Sequence, residues 1–306
     1  MAGRGGHLIL VAGGSGFIGS AVVRRLLRDG AEVAVMTAHP NRSRSKIESL
    51  GARMVVGDVL DPESLASAVR GAEVVVQALT FPTFPLEKPR HRYTFEEFDH
   101  RGTDRLVQAA AGAGAKKYVY SSAVGAAPYP AKARYTAKWA GEEAIRGTGI
   151  DHAIIRPSWA YGPEDRALNR FVAFHRWLPF VPVVGDGSQS LQPVLVDDVA
   201  ECFVQSARLD GPSGTFEIGG PEAMTMNDVL RTMMEVRGRV KPLVHFPVFM
   251  PKLAGFFLQA LPKPPLSPAA VDFATAEAVA DTSALLREFD LELTPLREGL
   301  GTYLRR

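Results

Sequence analysis

The run Val11-Ala12-Gly13-Gly14-Ser15-Gly16-Phe17-Ile18-Gly19 follows a short apolar stretch and opens an amphipathic one. Two registers fit it, Gly14-x-Gly16-x-x-Gly19 and Gly13-x-x-Gly16-x-x-Gly19. In either, glycines permit a tight turn and let the backbone approach a pyrophosphate, while a helix N-terminus offers free N–H groups and a positive dipole end. The bland alternative is a tight turn with close helix packing and no ligand. After the second apolar stretch comes Met36-Thr37-Ala38-His39-Pro40, with no carboxylate to take the ribose hydroxyls of NAD. Arg42, Arg44 and Lys46 follow. An arginine here, Arg42 first, would pair a 2′-phosphate, so the expected cofactor is NADP, with NAD as the alternative; otherwise these cations form a solvated loop. His91 and His100 have no second histidine at ligand spacing, and no metal is assigned.

The elements that must position these groups follow from periodicity. Apolar runs at Leu8–Ala12, Val33–Met36, Arg53–Val56, Val74–Ala78, Lys117–Tyr120 and His152–Arg156 alternate with helical stretches at Phe17–Asp29, Pro62–Val69, Thr103–Ala111 and Ala137–Arg146. This predicts an α/β fold, a doubly wound parallel sheet of the Rossmann type. After Arg156 prolines cluster and the alternation becomes irregular, which predicts a smaller, interleaved C-terminal substrate lobe. The expected division is 1–156 for dinucleotide binding, with 194–209 returning to it, and 157–193 plus 210–306 for the substrate. Asp197 or Asp198 is the expected cap of a helix from Val199 to Arg208, with Cys202 a buried small hydrophobe. The long stretch Thr80–Arg101 reads as a lid or binding loop at the carboxyl end of the sheet. Trp159, Tyr161, Phe171, Phe174 and Trp177 line an apolar substrate pocket or else fill the core of the second lobe.

The chain has 306 residues, 35 Lys and Arg against 33 Asp and Glu, and 46% hydrophobic residues. This balance argues against disorder and marks no nucleic-acid partner. A single cysteine rules out an intramolecular disulfide and fits a reducing, cytoplasmic setting. No run reads as an integral membrane segment. Phe246–Pro262 is apolar but contains Pro247, Pro251 and Lys252; it is expected to be a helix packed on the body or over a ligand rather than a membrane-surface contact.

The sequence resembles the short-chain dehydrogenase/reductase superfamily in its extended or atypical branch, over nearly the whole chain. The likeness rests on Gly13-x-x-Gly16-x-x-Gly19, Gly57-Asp58-Val59, Tyr118-Val119-Tyr120-Ser121-Ser122, Arg156-Pro157-Ser158-Trp159-Ala160-Tyr161-Gly162-Pro163 and Gln192–Ala200. The run Arg166–Phe171 is similar to the subgroup that contains the nucleotide-binding accessory subunit of respiratory complex I. The resemblance implies a cofactor site of Gly13, Ser15, Gly16, Phe17, Ile18, Gly19, Arg42, Asp58, Val59, Ala78, Leu79, Ser121, Lys138 and Pro157, in which Asp58 meets the adenine amino group. It also implies a Tyr acting as general acid or base, a Lys four residues later holding the nicotinamide ribose, and a Ser polarising the substrate oxygen. Here the Lys is Lys138, but Arg134 stands four residues before it and Tyr135 three. The expected catalytic set is therefore a displaced pair, Tyr135 and Lys138, with Ser122; Ala123 occupies the usual Ser position. Arg134 is a poor general acid, because its guanidinium keeps its proton. Trp159 stands where nucleotide-sugar enzymes of the branch carry an Asn.

The leading expectation is an NAD(P)-dependent oxidoreductase transferring hydride to or from a small, fairly apolar carbonyl or unsaturated substrate. The alternatives are a catalytically silent NAD(P)-binding redox sensor or assembly protein, and a sugar-nucleotide epimerase or dehydratase, against which Trp159 argues. A homodimer is the assembly the resemblance implies.

Overall fold

The computed structural model describes residues 7–129, 132–259, 261 and 266–304. Seven strands form one parallel sheet: β1 (Leu8–Ala12), β2 (Glu32–Thr37), β3 (Arg53–Val56), β4 (Val74–Gln77), β5 (Lys117–Ser121), β6 (Asp151–Pro157) and, after four short strands elsewhere, β11 (Gly214–Ile218). Their order is β3-β2-β1-β4-β5-β6-β11. The apolar runs bury both sides of each central strand, so they pair only where helices cover both faces. The chain extends from β1 to one edge and then returns to β4 on the other side of β1. A crevice therefore opens between the carboxyl ends of β1 and β4.

Helices α1 (Phe17–Arg28), α2 (Pro40–Leu50), α3 (Pro62–Ala68), α4 (Gly102–Gly112) and α5 (Ala133–Gly147) follow β1 to β5 in turn. Two apolar clusters sandwich the sheet. One gathers Val11, Val22, Val35, Val76 and Val119 with Val199 and Phe203; the other gathers Leu10, Leu65, Leu106, Tyr118 and Ile145. Val199, Cys202 and Phe203 belong to α7 (Val196–Ser206), which packs on α1, and Cys202 is wholly buried. α7 begins at Val196, three residues before the expected start, so neither aspartate caps it. Asp198 lies inside its first turn and accepts hydrogen bonds from the Thr294 N–H (2.8 Å) and Oγ1 (3.0 Å), strapping down the C-terminal segment. The boundary drawn at residue 210 also shifts: β11 is the seventh strand of the sheet, and α11 (Ser283–Glu288) packs Leu285 on the same core.

The remaining lobe is built from β7 (Trp159–Tyr161), β8 (Val181–Val184), β9 (Ser190–Leu191), β10 (Pro193–Leu195), β12 (Met224–Thr225) and β13 (Leu243–Phe246), with α6 (Leu168–Trp177), α8 (Met226–Val236), α9 (Phe249–Leu258), α10 (Pro268–Ala274) and α12 (Leu296–Leu304). It has its own core of Trp159, Tyr161, Leu168, Val181, Val229, Met233 and Leu300. Tyr161 is fully buried against Gly299 of α12, and Trp159 is nearly so. They are core residues, not pocket lining, because parallel pairing with β10 turns the strand into the lobe. Trp177 stands 76% exposed at the end of α6, so the expected aromatic wall does not assemble. Among the described residues no helix is long and apolar enough to cross a membrane.

Candidate active site

The cradle forms at the β1–α1 corner. Gly13 has φ +88°, a conformation that L side chains rarely adopt, and a Cβ there would strike the carbonyl oxygen of Ala78. A Cβ at Gly19 would strike the Gly13 carbonyl. Gly16 is the N-cap of α1 and donates its N–H to Gly13 O (2.8 Å). No side chain caps this helix, and no acid lies in its first turn. Among the described residues no protein acceptor takes the N–H of Phe17 or Ile18. An uncapped helix N-terminus beside glycines, at the switch point of the sheet, fits a pyrophosphate. Ala78 and Leu79 border the same corner, Ala78 by donating its N–H to Ala12 O (2.8 Å).

At the β2 end the basic trio separates. Lys46 binds Glu164 (2.6 Å), which also takes Arg24 (2.9 Å), and Arg44 faces Glu48 (3.5 Å). Among the described residues Arg42, in the first turn of α2, has no carboxylate partner. Asp58 sits in the turn after β3 with one carboxylate oxygen accepting from Leu60 N–H (2.9 Å). The Val59 side chain is buried in the core, and its carbonyl accepts from Arg105 (3.1 Å). Pro157 ends β6, and its carbonyl accepts from the Val124 N–H (3.2 Å).

Lys138, on α5, reaches the carboxyl end of β5. Its ammonium donates to Ser121 O (2.7 Å), pairs with Asp99 (2.8 Å) and lies 4.9 Å over the Tyr120 ring. Burial opposes this charge, but Asp99 and Tyr120 outweigh burial and raise the lysine pKa, so the ammonium stays charged. Burial likewise pushes the Tyr120 phenol up to about 12. Two strand spacings, about 10 Å, separate this point from the glycine corner along the sheet edge. Tyr135 lies against Gly125, and its Oη accepts from Arg134 Nη2 (2.7 Å), whose guanidinium also stacks on the Tyr135 ring (4.5 Å). Among the described residues no hydrogen bond joins Tyr135 to Lys138; the three-residue spacing gives each a separate partner. Ser122 departs from its expected part: its hydroxyl donates to the buried Glu142 (2.5 Å), which two arginines, Arg146 and Arg156, also hold. The Glu142 pull turns Ser122 into a structural link between β5 and α5.

The stretch after β4 folds into an aromatic arm. Phe81 packs edge-on against Phe84, Phe95 and Phe98, and Phe84 reaches Phe273 of α10 at 5.5 Å, beside Arg134. Asp99 was missed as a site residue because it stands in an acidic run that reads as exposed. The signal was present in helical phase: Asp99, Gly102, Thr103 and Leu106 share one face, and that face is buried. Asn169, in the run that carries the subgroup resemblance, clamps the carbonyls of Gly162 (2.9 Å) and Asp165 (2.8 Å), while the Asp165 carboxylate accepts from the N–H groups of Ala167 and Leu168 at the start of α6.

A family model described as NAD(P)H-binding matches residues 13–174. The chain is 28% identical to the mitochondrial NADH dehydrogenase [ubiquinone] 1 alpha subcomplex subunit 9 of Arabidopsis thaliana, covering 95% of this chain and 75% of that protein. It is 28% identical to a ceramide reductase of Caulobacter vibrioides, over 78% of this chain and 74% of that one. The structure of the UDP-glucose 4-epimerase of Thermus thermophilus in complex with NAD is similar over 97% of both chains, with a TM-score of 0.76 and 21% identity, which shows a shared fold. With the glycine corner, the sheet order and the family match together, the chain belongs to the NAD(P)H-binding family.

Proposed function

We propose that this protein is an NADP-dependent oxidoreductase that transfers hydride to or from a fairly apolar carbonyl or unsaturated substrate. The observation that carries the reading is the alignment, along one sheet edge, of an uncapped glycine corner after β1 and a charged, partly buried Lys138 at the end of β5. A nicotinamide coenzyme bound there supplies the hydride donor or acceptor. The N–H groups of Phe17 and Ile18 would take the pyrophosphate, Asp58 the adenine, and Arg42, the cation without a carboxylate, the 2′-phosphate. Lys138, fixed by Asp99 and Ser121 O, presents its positive charge and remaining donor capacity to the ribose. Tyr135 holds the proton at Oη, with Arg134 as the cation beside it, and acts as general acid toward the substrate oxygen. The arm of Phe81, Phe84 and Phe95 closes toward Phe273 and gives the substrate side an apolar roof that excludes water. The ceramide reductase relative supports an apolar substrate.

The test is NADPH oxidation across a panel of apolar ketones and aldehydes, with Tyr135→Phe and Lys138→Met as controls. Turnover that both substitutions remove supports the reading. A second reading, a catalytically silent coenzyme-binding protein, is favoured by the full engagement of Tyr135 with Arg134 and of Ser122 with Glu142. Saturable coenzyme binding without turnover on any member of the panel would select it.

A further inference from the structure

Arg134 is a cation without a carboxylate at the substrate side of the site. It stands four residues before Lys138 on α5, so the two side chains leave the same helix face one turn apart, about 6 Å along the axis. Its guanidinium lies 4.5 Å over the Tyr135 ring and 5.2 Å over the Phe273 ring of α10. One N–H is committed, from Nη2 to Tyr135 Oη (2.7 Å); among the described residues no other hydrogen bond and no ion pair engages the group. The residues outside that set contain no Asp or Glu. Acids on the elements around it are engaged elsewhere. Asp99 is held by Lys138 (2.8 Å), Asp272 of α10 pairs with Lys252 (2.6 Å), and Glu87 of the arm accepts from the Phe95 N–H (2.8 Å). The first turn of α5 holds no acid, and Lys132, its N-cap, reaches Asp272 O (3.5 Å) and adds a second positive charge beside α10.

Such a group is suited to an anion. Stacking fixes the plane of a guanidinium and leaves its edge free, and that edge matches a carboxylate through two parallel N–H···O bonds. An apolar wall stands next to it. Phe84 meets Phe81, Phe95 and Phe273 edge-on, and Phe84 and Phe273 are 37% and 36% exposed, open to a ligand. The atom that Arg134 holds is Tyr135 Oη, the proton donor of the proposed reaction. A carbonyl that takes the Tyr135 proton and a carboxylate that takes the free guanidinium N–H groups therefore belong on neighbouring carbons. We propose that the substrate is an apolar 2-oxo acid, or its 2-hydroxy acid in the reverse direction, whose carboxylate docks on Arg134 and whose tail lies along Phe84 and Phe273. In reduction the carbonyl carbon takes hydride from the reduced coenzyme, which is thereby oxidised. The C=O electron pair moves to oxygen and takes the Tyr135 proton, which solvent replaces, and the 2-hydroxy acid leaves. The substrate class rests on the oxidoreductase reading, whereas carboxylate docking at Arg134 is measurable without turnover.

Two measurements on the full chain test it. The first is calorimetric titration with octanoate and with octan-1-ol, in the presence and absence of saturating NADPH. Octanoate is expected to bind at least about tenfold more tightly than the alcohol, and Arg134→Gln to remove that preference with circular dichroism unchanged. Arg134→Lys, which keeps the charge and loses the planar fork, is expected to retain part of it. The second is NADPH oxidation with 2-oxooctanoate against its methyl ester. The acid is expected to exceed the ester by about thirtyfold or more in kcat/KM, and Arg134→Gln to bring that ratio near one. Equal binding of octanoate and octan-1-ol, or a preference that Arg134→Gln leaves intact, would overturn the proposal. So would an acid-to-ester ratio near one in the parent chain. Octanoate binding that Arg134→Gln abolishes, with no turnover of either oxo compound, would keep the carboxylate site and overturn the oxidoreductase reading together with its 2-oxo substrate.

Discussion

At the scale of single residues, the cofactor end and the proton end of the site are built differently. The cofactor end uses backbone: it needs glycines in a special conformation, and those are visible in a sequence. The proton end uses side chains whose partners come from distant segments. Lys138 meets Asp99, and Ser122 meets Glu142, only after α4 and α5 pack. Replacing Arg42 with Ala should weaken NADPH binding by roughly tenfold to a hundredfold, the value of a charge-assisted phosphate contact, and leave NADH unchanged. Calorimetric titration with both coenzymes measures it, and an equal loss for the two would remove Arg42 from the 2′-phosphate site. Tyr135→Phe should lower turnover by about a hundredfold or more at unchanged coenzyme affinity. Steady-state kinetics beside a binding titration separates those quantities.

Secondary-structure elements carry their own tests. Asp165, two residues before the N-cap of α6, accepts from the N–H groups of Ala167, Leu168 and Asn169, and Asp165→Ala should cost about 1–2 kcal/mol in urea unfolding. A pH effect arises where α6 meets the segment before β13. His175 is buried, its Nε2–H donates to Arg239 O (2.6 Å), and its Nδ1 accepts from Arg237 (3.1 Å). Burial, with Arg237, Lys241 and Arg239 nearby, lowers its pKa below the ordinary 6.5. The unfolded chain then takes up a proton more readily than the folded one. Stability is therefore kept above pH 6.5 and lost as the pH falls from 6.5 toward the lower folded value. Urea unfolding at pH 7.5, 6.5 and 5.5 should show this loss in the parent chain and a shallower one in His175→Gln.

These same elements show how much was legible beforehand. β1 falls on its expected residues because a buried parallel strand is a continuous apolar run with few alternatives, and β3, the half-exposed edge strand, falls on its expected residues too. The α7 start was misplaced because Asp197 and Asp198 look like caps, whereas Asp198 is claimed by Thr294 nearly a hundred residues away. Trp159 and Tyr161 went to the lobe core instead of a pocket because only the β7–β10 pairing decides which way they point. Helix α9 overturns the expectation of a helix packed through its apolar residues, since Phe249, Phe256 and Phe257 stand exposed: periodicity marks an apolar stripe without saying what covers it. Residues 260 and 262 of that stretch lie outside the described ones.

For the whole molecule, two apolar layers and a seven-strand sheet support a second lobe that grips the first through ion pairs such as Glu164 with Arg24 and Lys46. These pairs are partly exposed, so they fix orientation more than they add stability. The central claim for the molecule is that the corner after β1 receives a nicotinamide dinucleotide. Isothermal titration of the purified chain with NADPH and NADH tests it most directly, with Gly16→Val as control, because the N-cap φ of −77° accepts a side chain, whose Cβ would stand a tight 3.1 Å from Gly13 O and crowd the corner. Saturable one-to-one binding, tighter for NADPH and lost in Gly16→Val, is the predicted result. Absence of heat and of any competition by either coenzyme, in a chain shown to be folded, would contradict it.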